Sequence, residues 1–147
     1  MFDRENALGS DPIHLQPGQG ETLPVRAHAF LNWTKILVLP GEVYRIEPVE
    51  HKRWVDWFIC SGPERYHSHL TDCQRSKLRN PKAPFFALMV TVDDDDAGSV
   101  AVATPQQPYL DRFEPLRQGE LTFFANDLEG WYWNNWGSLI VKVTRIQ

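Results

Sequence analysis

Asn126-Asp127-Leu128-Glu129-Gly130-Trp131-Tyr132-Trp133-Asn134-Asn135-Trp136-Gly137-Ser138 joins two strand-like runs near the end of the chain. Before it, Leu121-Thr122-Phe123-Phe124-Ala125 is largely apolar. After it, Leu139, Val141 and Val143 alternate with Ile140, Lys142 and Thr144. A period of two marks a pleated strand with one buried face. The loop between them gathers Asp127, the adjacent amides Asn134 and Asn135, three tryptophans and a tyrosine. It offers side-chain oxygens and free backbone carbonyls in one small volume, and a hard cation such as calcium takes roughly six to eight such oxygens. Cation-ready oxygens beside aromatic faces point to a saccharide site rather than to a catalytic centre.

Working outward, further short β-like runs are punctuated by turn signals. Val25 to Ala29 alternates, and Trp33 to Leu39 ends at the Pro40-Gly41 turn. Glu42 to Ile46, Trp54 to Cys60, Phe85 to Val92, Val100 to Ala103 and Glu120 to Ala125 follow. Phe85 to Val92 is the most apolar, which predicts a central strand. About seven or eight short strands at this spacing predict an all-β, antiparallel, jelly-roll-like β-sandwich. The eleven prolines agree, because helix interiors exclude them. Residues 1–22, rich in Gly, Pro, Asp and Gln, read as a flexible N-terminal arm ahead of a sandwich domain over 23–147. The connections 61–84 and 104–118 read as long loops.

At 147 residues and 42% hydrophobic content the chain supports one domain with a real core. A net charge of -4 without a basic cluster argues against nucleic acid and anionic membranes as partners. No run reaches the roughly 18 apolar residues of a membrane span, so no membrane insertion is expected. The N-terminus lacks the pattern of a signal peptide. The expected location is cytoplasmic, or outside the cell by release without a classical signal. Cys60 and Cys73 fit either a disulfide or two reduced thiols.

The C-terminal pattern resembles the PA-IL family of galactose-binding bacterial lectins. The shared features are an apolar strand, Asn126-Asp127, Gly130, an aromatic at Tyr132, Asn134-Asn135, and Gly137-Ser138 opening the last strand. Val25 to Ala27, Trp33, Ile36, Pro40-Gly41-Glu42-Val43 and Ile46 follow the family's opening strands, so the resemblance covers about residues 24–147. It implies a galactose-binding-like sandwich fold. It further implies Ca2+ held by the side chains of Asp127, Asn134 and Asn135 and the backbone carbonyls of Trp54 and Trp131, with hydroxyls of galactose or a similar hexose completing the shell. The implied sugar contacts come from His69, Asp127, Leu128 and Asn134, and Trp136 is the candidate stacking platform. Gln74 is the nearest candidate for the family's sugar-binding Gln. Trp131, Trp133 and Trp136 replace small or modest residues of the familiar lectin. Single-sugar affinity is expected to be weak, so a homo-oligomer gaining strength by multivalency is expected.

Competing readings attach to the same residues. The asparagine pair has turn chemistry of its own. Asp93-Asp94-Asp95-Asp96 lacks the closing glutamate of an EF-hand and reads as a solvated turn. His67, His69, Cys60 and Cys73 are zinc-type ligands at no familiar spacing, and His69 with Asp72 or Glu64 is a weak acid–base candidate. No Gly-x-Ser-x-Gly or phosphate loop occurs. The alternative to a lectin is a non-catalytic accessory module, with a structural or lost calcium site, that binds a protein partner through the Trp-rich loop.

Overall fold

The computed structural model describes residues 11–49, 53–56, 59–63 and 72–147. The predicted antiparallel β-sandwich is what it contains. One sheet is built from β1 (Gly20–Arg26), β11 (Ser138–Arg145), β3 (Tyr44–Pro48) and β8 (Leu110–Phe113), in that order. The other runs β2 (Asn32–Val38), β9 (Gly119–Ala125), β6 (Leu88–Val92), β7 (Val100–Ala101). A small third sheet, β10 (Asn135–Trp136), β4 (Trp54–Asp56), β5 (Ile59–Ser61), is formed partly by the site loop itself. Every strand pair is antiparallel. Among the described residues the one α-helix is α1 (Asp72–Ser76), and a 3-10 turn spans Tyr132–Asn134.

The main core lies between the two large sheets. Val25, Ile46, Val141 and Val143 from one face Ile36, Leu88, Val90 and Phe123 from the other. Each such side chain contributes roughly 1.5–3 kcal/mol by leaving water. The second sheet is covered on its far side as well, where Leu31, Ala87, Met89 and Phe124 form a smaller cluster. Burial on both faces explains why β6 and β9 are apolar with little alternation. β6 lies between β9 and β7, as its composition predicts.

The structure departs from the sequence reading in four places. Residues 11–22 belong to the sandwich rather than to an arm: Ile13 bridges Ile36, Leu15 is fully buried, and β1 starts at Gly20. Residues 1–10 lie outside the described part. The run Trp54 to Cys60 is not one strand but the antiparallel pair β4–β5, with Trp54 opposite Ser61. The Pro- and Gln-rich connection contains β8. The acidic run is a built turn rather than a solvated one. Asp93 Oδ1 accepts from Glu120 N at 3.0 Å, Asp95 Oδ1 accepts from Gly98 N at 3.1 Å, and Asp96 pairs with Arg79 at 2.8 Å. Cys60 and Cys73 are both free and exposed.

Candidate functional site

β9 ends by delivering Asn126 and Asp127, both fully buried, to one end of the sandwich. Asn126 faces away from the loop. Its amide nitrogen donates to the carbonyls of Asn80, Ala83 and Pro84, and its Oδ1 accepts from Asn80 N at 3.0 Å. It therefore braces the incoming chain rather than offering a ligand. Asp127 faces the loop. Its Oδ1 accepts from Leu128 N at 2.7 Å and its Oδ2 from Asn135 Nδ2 at 3.0 Å.

Asn135 lies opposite Asp56 in the β10–β4 ladder, which brings a second buried carboxylate to the site. The Asn134 amide, with its NH2 turned toward them, donates to the Trp131 carbonyl, to Asn135 Oδ1 at 3.0 Å and to Asp56 Oδ1 at 3.3 Å. Asp127 is short of positive charge. Burial pushes its carboxyl up to about 6, against the hydrogen bonds from Asn135 and Leu128, and the charge of Asp56 adds to the rise. Among the described residues no basic side chain pairs with Asp127.

Arg79 holds the loop from behind. Its side chain is buried, with the guanidinium 3.8 Å from the Phe30 ring centroid and 3.6 Å from that of Phe124. It donates to Asp96, to the Phe30 carbonyl and to the Tyr132 hydroxyl, and Tyr132 in turn donates to the Ala125 carbonyl. The 3-10 turn that carries Asn134 is thus anchored through Tyr132. Gly137, at φ +84, closes the turn into β11; a Cβ there would meet the Arg53 carbonyl at 3.3 Å. A side-chain residue would pay both left-handed strain and that contact.

Of the residues singled out from sequence, Asp127, Trp131, Asn134 and Asn135 come together. Trp54 reaches the same end on β4, but its side chain is buried against Phe86, ring centroids 5.3 Å apart, leaving only its main chain for a ligand. Leu128 likewise has its side chain in the core. Trp136 is 64% exposed and Trp133 63%, so the loop does present aromatic faces. His69, with His67 and Glu64, falls outside the described residues. Among the described residues no three His, Cys, Asp or Glu side chains cluster. A cation here would rest on two carboxylates plus amide and main-chain oxygens, which is a calcium-type rather than a zinc-type donor set. Sequence reasoning missed Asp56 and Arg79. Asp56 shares a strand face with Trp54, and a carboxylate on a buried face is the signal that marks it.

No protein-family model matches the chain, and no curated protein does. Among solved structures, the chain is similar to the N-terminal domain of EclA, a PllA-like lectin. The TM-score is 0.58 at 18% identity, over 84% of this chain and 94% of that one. At this identity the likeness establishes the fold alone: an antiparallel β-sandwich.

Proposed function

We propose that the protein is a calcium-dependent carbohydrate-binding protein of the PA-IL kind, taking galactose or a similar hexose and performing no catalytic step. The observation that carries this reading is the pair of buried carboxylates Asp56 and Asp127, linked through the hydrogen-bonded amides of Asn134 and Asn135, with the Asp127 carboxyl pushed up to about 6 by burial. The side chains of Asp56, Asp127, Asn134 and Asn135 and the carbonyls of Trp131 and Trp54 would hold the ion. When bound, calcium offers open coordination positions to vicinal sugar hydroxyls. The two carboxylates supply the charge that attracts it, and the exposed Trp136 supplies a face for sugar C–H groups. The likeness to a lectin domain supports the same reading. A homo-oligomer belongs to it as well, because multivalency offsets a weak single site; light scattering tests that part.

The test is a calcium titration with and without galactose, on wild type and Asp127→Ala, followed by thermal unfolding and calorimetry. Calcium is expected to raise the Tm of wild type alone, and galactose to bind only while calcium is present. Equal responses from the two proteins would dispose of the site. A calcium-raised Tm without saccharide binding would favour the accessory module with structural calcium.

A further inference from the structure

Beside the candidate cation site lies a surface cleft of about 330 Å3, lined by Arg26, His28, Trp133, Trp136 and the Gly137–Ser138 turn, with Asn135 at its inner wall. We propose that this cleft is a subsite for an anionic sugar residue, with Arg26 and His28 as donors to its carboxylate and the two tryptophans as its apolar walls. The inference rests on the carbohydrate-binding reading and adds to it the charge class of the glycan.

Four observations carry it. Arg26 and His28 are both exposed, and among the described residues neither side chain has a hydrogen-bond or ion-pair partner. The chain as a whole carries -4, so an unneutralised guanidinium between exposed aromatics goes against the general charge of the surface. The Arg26 backbone is held rigidly: it pairs with Ser138 in the β1–β11 ladder, and the Asn32 amide grips its N–H at 2.8 Å and its carbonyl at 3.0 Å. The cleft is also stitched to the cation site, because Asn135 Nδ2 donates both to Asp127 and, at 3.3 Å, to the Ala27 carbonyl between Arg26 and His28. A planar guanidinium matches a carboxylate in two parallel hydrogen bonds. Tryptophan faces suit the C–H surface of a pyranose. A saccharide anchored at the ion could thus place a neighbouring acidic residue here.

The experiment is calorimetry at fixed salt, in calcium and in chelator, with a galacturonic acid trimer, a neutral galactose trimer and a sulfated galactose trimer. Wild type and Arg26→Gln are compared, with Tm confirming that both fold. Wild type is expected to bind the galacturonate trimer roughly tenfold or more tightly than the neutral one. Arg26→Gln is expected to abolish that preference while leaving neutral binding unchanged. Equal binding of the sulfated trimer would widen the class to anions in general; its rejection would confine it to carboxylates. A wild type without preference, or a variant that keeps it, overturns the proposal. Acid-dependent binding that survives chelator and disappears in Arg26→Gln would keep the cleft and remove the calcium reading. Failure of all three trimers to bind removes both.

Discussion

Glu42 and Asp127 are both buried carboxylates, yet the protein treats them in opposite ways. Burial pushes Glu42 up, but donors surround it: the Tyr44 hydroxyl at 2.5 Å, His14 Nε2, Leu39 N at 3.0 Å, with Arg145 at 3.4 Å. Together they hold its pKa below the usual carboxylate value. Asp127 receives two hydrogen bonds from neutral groups and faces the charge of Asp56, and its pKa rises to about 6. Glu42 is a finished structural anion that ties His14, the Leu39–Glu42 turn and the C-terminal strand together. Asp127 is left short of positive charge, as ligand sites commonly are.

The largest effect is expected from Glu42→Ala. It strands Arg145 and the Tyr44 hydroxyl, and on the order of 3 kcal/mol of stability should be lost in denaturant unfolding, with or without calcium. A loss that calcium restores would break the contrast. Asp127→Asn should act in the other direction. Because the folded pKa is raised, the contribution of Asp127 is fully present below its unfolded value near 3.8 and is lost as pH rises through about 6. The calcium-free wild type should therefore lose up to about 3 kcal/mol between roughly pH 4 and pH 7 through this group. Asp127→Asn should flatten that slope, which urea titrations across the range would show. Calcium at a hundred times its Kd should restore about 2.7 kcal/mol to wild type at pH 7.5 and none to the variant. The increment should shrink by about 1.4 kcal/mol at pH 5, where a proton competes for the carboxylate. The smallest effect is expected from Asp56→Asn, which keeps the amide contacts and removes one charge: about a tenfold weaker calcium Kd, read by calorimetry. An unchanged Kd would take Asp56 out of the donor set.

What the sequence displayed follows from the range over which each signal acts. Alternation along Leu139 to Thr144, the apolar run of β6 and the Pro40-Gly41 turn are local, and they place strands correctly. The loop residues Asp127, Asn134 and Asn135 are separated by a few positions and could be read as a group. Asp56 joins them only through the β10–β4 register, a pairing across 79 positions of the chain (Asp56 to Asn135). Arg79 stands in a polar connection, and its role depends on Phe30, Asp96 and Phe124 arriving from three other elements. Ile13 and Leu15 alternate in a stretch whose Gly, Pro and Gln content outweighed two apolar residues. β8 was hidden the same way among prolines and glutamines.

The Asn126–Gly137 segment does more than present donors. It is the covalent crossing from β9, in the heart of one sheet, to β11, in the heart of the other. Anything that rigidifies this crossing acts as a rivet between the two leaves of the sandwich. Its occupancy should be felt in the slowest-exchanging amides of both, far from any sugar.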